Sequence, residues 1–133
     1  MRFWAAQDVA QTVLLLAEDA DSAVYLDASA VSMSGDIKGR DVIAQGLYGN
    51  LATWHYLSFD WDIASVEADT GRVQVRFEYQ HQTTALRYAG TMRMVVVVTD
   101  GFISRVECHH DGPRVAAFMQ LVAEAEARQV QGP

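Results

Sequence analysis

A period of two, broken only by short turn segments, runs from His55 to His110 and constrains this chain more than any other feature. From His55 to Val66, the residues His55, Leu57, Phe59, Trp61 and Ile63 alternate with Ser58, Asp60 and Asp62. Successive side chains of a strand point to opposite faces, so this spacing predicts a half-buried strand. Ala68-Asp69-Thr70-Gly71 supplies a turn. Val73, Val75, Phe77, Tyr79 and His81 then share one face of a second strand, with Gln74, Arg76, Glu78 and Gln80 on the other. A third strand is predicted from about Leu86 to Val98, Asp100-Gly101 makes the next hairpin, and a fourth strand runs from Phe102 to about His110. Four strands joined by tight turns form an antiparallel meander with one apolar and one polar face.

That apolar face needs a cover, and the remaining segments supply helices. Arg2 to Glu18 has no Gly or Pro, and Phe3, Ala6, Ala10, Val13, Leu14 and Ala17 recur at helical spacing. Val24 to Asp27 predicts a short strand, with another extended piece between Gly35 and Gly39. A second helix is expected from about Arg40 to Thr53, with Val42, Ile43, Leu47, Leu51 and Trp54 on its apolar side and Asp41 near its positive end. Gly112-Pro113 opens a last helix to about Arg128, with Val115, Phe118, Met119 and Val122 inward. Helices segregated against one antiparallel sheet make an α+β fold.

At 133 residues, half apolar and a fifth charged, the chain is one domain spanning 1–133. Its net charge of −7 disfavours nucleic acid and anionic membranes as partners. The longest apolar run, Met94 to Val98, is far shorter than a membrane span. The N-terminus lacks a basic stretch followed by an apolar one, so no secretory leader is expected. A single cysteine fits a reducing compartment, and the expected location is cytoplasmic.

Three stretches carry a resemblance that covers nearly the whole chain. They are Leu16-Ala17-Glu18-Asp19, Gly39-Arg40-Asp41-Val42-Ile43, and Asp100-Gly101-Phe102-Ile103-Ser104-Arg105. With the element order, they resemble the SnoaL-like families of the nuclear-transport-factor-2-like superfamily. The resemblance implies a cone-shaped, strongly curved antiparallel sheet that wraps a pocket closed by three helices. Members include ketosteroid isomerases, polyketide cyclases, epoxide hydrolases, dehydratases and non-enzymatic binding domains, so fold alone does not select a function. Trp54-His55-Tyr56-Leu57-Ser58 and His81-Gln82 are similar to the pocket-histidine segments of scytalone-dehydratase-like members. Where those dehydratases carry a carboxylate early in helix one, this chain has Ala5, with Asp8 a turn later. Where the cyclases carry one on the last strand, it has Cys108.

His55 and His81 are the catalytic candidates, because imidazoles exchange protons near neutral pH and both fall on apolar-face positions of neighbouring strands. Asp8 is either their orienting base or a helix-surface carboxylate. Asp27 is a cap or a functional acid. Cys108 is a small buried hydrophobe rather than a nucleophile, since adjacent strand residues face opposite ways and His109 cannot serve it. The same alternation splits His109 from His110, so His109-His110-Asp111 makes no metal site, and neither metal nor cofactor is expected. Tyr48, Leu57, Trp61, Phe77, Tyr79, Met92, Met94, Cys108 and His110 are the expected pocket lining, with Tyr56 or Tyr79 bonding a ligand oxygen. A three-residue turn would set Met92 opposite Cys108 and Met94 opposite Val106, with Arg93 and Glu107 paired outside. No phosphate loop, nucleophile elbow or basic aromatic stripe is present. The expected function is cofactor-free acid–base chemistry (dehydratase, isomerase or cyclase) on a small, largely apolar ligand. The alternatives are a non-catalytic binding module and a dimer with a filled cone. Val95 and Val97 on the outer face, among Arg76, Glu78, Arg93 and Arg105, predict a homodimer.

Overall fold

The computed structural model describes Trp4, residues 8–25 and residues 37–131. Asp27 lies outside the described residues. Helix α1 (Val9–Leu14) leads into strands β1 (Leu16–Tyr25) and β2 (Ile37–Lys38), then helix α2 (Arg40–Thr53). Strands β3 (Trp54–Glu67), β4 (Thr70–His81), β5 (Arg87–Thr99) and β6 (Phe102–His110) follow, and helix α3 (Gly112–Gln131) ends the chain's described part. One sheet runs in the order β2-β1-β6-β5-β4-β3. The α+β class, α2, the β3–β6 meander and α3 all match the periodicity. The inner faces of β4 and β5 form the main core, with Val73, Val75, Phe77, Met92 and Met94 buried. A second cluster, Leu16, Ala20 and Ile43, seats α2 against β1.

Three departures from the sequence reading bear on function. Helix α1 stops at Leu14, and the strand expected from Val24 begins already at Leu16, through what the periodicity reads as helix end and break. This strand pairs in parallel with β6, Leu16 against Ile103 and Val24 against Cys108, so the sheet is mixed rather than wholly antiparallel. The partner lies some eighty residues away in the chain, and local periodicity carries no trace of such a pairing.

The second departure is a bulge in β3. Pairing passes from Tyr56 opposite Tyr79 to Ser58 opposite Glu78, which leaves Leu57 as an extra residue. Trp54 and Tyr56 therefore share the inner face with His81 and Tyr79, while Phe59, Trp61 and Ile63 share it with Phe77, Val75 and Val73. His55 pairs with Gln80 on the outer face and is exposed. An uninterrupted period of two put it inside.

The third is the β5–β6 hairpin. Thr99 pairs with Phe102 around a two-residue turn, Asp100-Gly101, whose φ angles of 53° and 83° suit a type I′ turn. Such a turn alone would bury Arg105 and Glu107. Ser104 is the extra residue of a second bulge; its hydroxyl donates to the Val97 carbonyl at 3.2 Å and contacts Thr99 Oγ1 at 2.9 Å. The bulge restores the faces. Arg105 and Glu107 pair with Val97 and Val95, Arg93 pairs with His109, and Met92 and Met94 pair with His110 and Cys108. The register is shifted by two from the expected one, with the same residues inside.

Candidate functional site

The concave side of the sheet and the helices enclose a cavity of about 800 Å³, toward the upper end of ordinary ligand sites. All three helices contribute: Thr12 from α1, Ile43, Leu47 and Asn50 from α2, and Val115, Phe118 and Met119 from α3. Among the described residues, the lining holds no Asp, Glu, Lys or Arg. A charged ligand would lose its water there without gaining a counter-charge, which is strongly unfavourable.

Aromatic rings make up much of the wall. Phe59, Tyr56, Tyr79 and Phe77 stack in a row with nearly parallel planes; the Tyr56–Tyr79 and Tyr79–Phe77 centroids are 4.3 and 4.1 Å apart. Tyr56 and Tyr79, in the middle of the row, have both faces against neighbours and offer the cavity ring edges and hydroxyls rather than faces. Ring edges carry the positive side of the quadrupole and favour electron-rich ligand surfaces. Tyr88 lies flat along β5 because Gly90 leaves room; a Cβ there would come within 3.0 Å of its hydroxyl.

Polar groups are few. Asn50 Nδ2 donates to the Tyr56 hydroxyl at 2.9 Å, and the Tyr79 ring stacks beside it. With Asn50 donating to its oxygen, the Tyr56 O–H can turn to a ligand acceptor, and polarised donors bond more strongly. Burial raises both phenols above their ordinary range, so both stay protonated. His110 is the second anchor. Burial, then the neighbouring His109, lowers its pKa, so it is neutral at pH 7. Its Nδ1 is buried with no hydrogen-bond partner among the described residues. Burial pushes the Cys108 thiol up to about 12, which keeps it unreactive.

Of the expected lining, Trp61, Phe77, Tyr79, Met92, Met94, Cys108 and His110 reach the cavity. Tyr48 is exposed on α2, and Leu57 is the bulge residue; neither lines it. The three residues offered as catalytic do not meet. His55 is on the far side of the sheet. Asp8 caps α1, accepting from the Gln11 amide at 3.1 Å. His81 is buried but lies behind Trp54, whose ring it meets edge-on at 4.9 Å, and Trp54 rather than His81 lines the cavity. Its Nδ1 accepts from the Thr84 amide at 3.4 Å and lies 2.9 Å from Thr84 Oγ1. Its Nε2 faces Glu126 of α3 at 3.8 Å. His81 thus braces the β4–β5 connection against α3. Sequence reasoning missed Asn50, Trp54 and Tyr88 as site residues. Asn50 stands one helical turn before Trp54 on the side of α2 that meets β3, and that spacing was the only signal for it.

No protein-family model matches the chain, and no curated protein matches it in sequence. Solved structures do. A proposed isomerase from Rhodopseudomonas palustris superposes with a TM-score of 0.71 at 13% identity, covering 96% of this chain and 90% of its own. A proposed SnoaL-like polyketide cyclase from Mesorhizobium loti gives 0.69 at 14% identity, covering 82% and 91%. A ketosteroid isomerase-like protein from Erwinia carotovora atroseptica gives 0.65 at 11% identity, covering 81% and 85%. At these identities the likeness is one of fold.

Proposed function

Given the nuclear-transport-factor-2-like fold, we propose that this chain binds a neutral, largely apolar small molecule in its cavity. The observation that carries this is the lining: stacked aromatics and methionines without a formal charge among the described residues. Tyr56 donates to a ligand oxygen, and His110 Nδ1 accepts from a ligand hydroxyl or N–H. These anchors sit on β3 and β6, three strand steps apart, on the order of 14 Å along the sheet at about 4.8 Å per step. A ligand reaching both is elongated, several fused rings in size. Methyl NMR of the methionines tests this. Adding neutral 2-acetylnaphthalene should shift the Met92 and Met94 methyls, which line the cavity; unmoved methyls at saturating ligand would refute it.

Acid–base catalysis is the second reading, and the free Nδ1 of His110 favours it. A neutral imidazole with an uncommitted lone pair can take a proton. Tyr88, which packs on Phe77 as His110 does (5.6 and 5.8 Å), would supply an O–H at the same end. Under this reading the chemistry is of the isomerase or cyclase kind and uses His110 rather than His55 and His81. It predicts deuterium exchange from D2O into a ketone's α-position that is lost in His110→Gln.

Two further parts belong to the proposal. The chain forms a homodimer over the outer face of the sheet at Val95 and Val97, both half-buried in the single chain. It works in the cytoplasm, where its single cysteine stays reduced. No helix among the described residues is long and apolar enough to cross a membrane.

A further inference from the structure

The outer face of the sheet carries a charge surplus at one place. Its acids are largely matched. Glu107 accepts from Arg105 Nε at 2.8 Å and lies 3.0 Å from His109 Nε2. Asp62 faces Arg76 at 3.8 Å, and Glu78 faces Arg87 at 4.0 Å. Asp21 lies 3.9 Å from both Lys38 and Arg105. Asp60 is exposed and stands opposite Arg76 in register. Arg72 and Arg93 remain, and neither has an ion pair among the described residues.

Their placement is not random. Gln74 is directly opposite Arg93, and Arg93 is directly opposite His109. Arg72 lies diagonal to Arg93, opposite Val95. Diagonal neighbours are within reach of long side chains, and like charges so placed repel. Together these residues border a dent of about 210 Å³ whose lining contains no carboxylate. Of the acids around it, Asp62, opposite Gln74, faces Arg76, Glu67 lies diagonal to Arg72, and Glu107, opposite Val95, is bonded to Arg105 and His109, which hold its carboxyl below the usual range. Tyr25 stacks on the His109 ring at 4.8 Å and fixes its plane. A planar guanidinium fork is suited to two-point recognition of an oxyanion.

We propose that this dent, between Arg72, Arg93 and His109, binds one oxyanion group, a carboxylate or a phosphate. It is separate from the cavity, on the opposite face of the sheet at the rim of the proposed dimer face, with which it shares Val95, and takes ligands of the opposite kind. A bridging anion removes the repulsion between the arginines and gives the acidic chain (net charge −7) a local site for anions it would otherwise repel.

Thermal unfolding at matched ionic strength tests it, with sodium phosphate in one arm, sodium succinate in the second and sodium chloride as reference. The proposal expects a higher Tm in at least one of the first two arms. A rise with phosphate alone assigns a phosphate group, and a rise with succinate alone assigns a carboxylate. Arg93→Gln and Arg72→Gln, both at exposed positions, should each weaken the response about tenfold or more, while Arg128→Gln on α3 leaves it intact. No rise beyond chloride in either arm overturns the proposal, and so does a rise that survives Arg93→Gln. Sedimentation of the same samples separates the remaining case. If neither anion acts and Arg93→Gln splits a dimer, the arginines serve a second copy of the chain, and the oxyanion site is refuted.

Discussion

His110 shows how one side chain links the cavity to stability. Its Nδ1 is buried without a partner among the described residues, and an unmet buried polar atom costs free energy. His110→Phe should therefore raise stability at pH 7 by about 1 kcal/mol while weakening any ligand that donates to Nδ1. Burial depresses the folded-state pKa, so the unfolded chain binds the proton first as pH falls. This contribution is complete above about pH 6.5 and is lost as pH falls below it. Urea titrations at pH 7.5 and 5.5 should show a smaller pH-dependent loss in His110→Phe than in the parent; equal losses would show that His110 does not titrate with folding. His81 has the opposite character. It is hydrogen-bonded and outside the cavity, so His81→Ala should cost about 2 kcal/mol and leave ligand affinity within twofold. A large affinity loss in a folded His81→Ala would return it to the site. The sequence marked His81, with His55, as sitting where an apolar residue was due, and placed His110 only in the lining. The structure reverses the order of His81 and His110, because Trp54 stands between His81 and the cavity.

At the scale of elements, the strand alternation was legible and its phase was not. The period of two located β3, β4, β5 and β6 and sorted the faces of β4 correctly. A bulge adds one residue and inverts every face on one side of it. In β3 that residue is Leu57, and the inversion exchanges His55 for Tyr56 at the wall. In β6 it is Ser104, and it cancels the parity change of a tight turn. Neither is a Gly or Pro, so neither announces itself. Deleting Leu57 tests this: Tyr56 would still pair with Tyr79 next to Ser58 with Glu78, so Trp54 and Tyr56 stay inward and the variant should fold with its cavity intact. A deletion variant that folds but no longer binds a cavity ligand would mean that the β3 faces are not set by this pairing. The β3–β4 turn offers a gentler test. Ala68 has a φ of 52°, a region that costs an L-residue roughly 1–2 kcal/mol. Ala68→Gly should stabilise by about 1 kcal/mol, read from the urea midpoint at unchanged slope.

For the whole molecule, the sheet separates two chemistries. Among the described residues, the concave face builds a cavity without formal charge, and the convex face carries arginines, carboxylates and His109. The helices and the meander followed from local pattern, so the α+β class could be read from the sequence. The parallel β1–β6 pair could not, and it brings Ser22 and Val24 to the cavity wall. Sedimentation should give about twice the 14.7 kDa chain mass at micromolar concentration, and Val95→Glu with Val97→Glu should return it to a monomer. A parent that sediments as a monomer under those conditions would rule out the dimer.

The central claim is that the cavity selects neutral over charged ligands. Trp4, Trp54 and Trp61 all line it, so quenching of intrinsic fluorescence reports occupancy directly. The decisive comparison is 2-acetylnaphthalene against 2-naphthoate at pH 7.5, two ligands of nearly equal size that differ by a charge. The account predicts that the ketone binds at least about tenfold more tightly, because the carboxylate would be desolvated without a partner, and that Tyr56→Phe removes much of the ketone's advantage. Naphthoate binding as tightly as the ketone, with the same quenching of the cavity tryptophans, would contradict it.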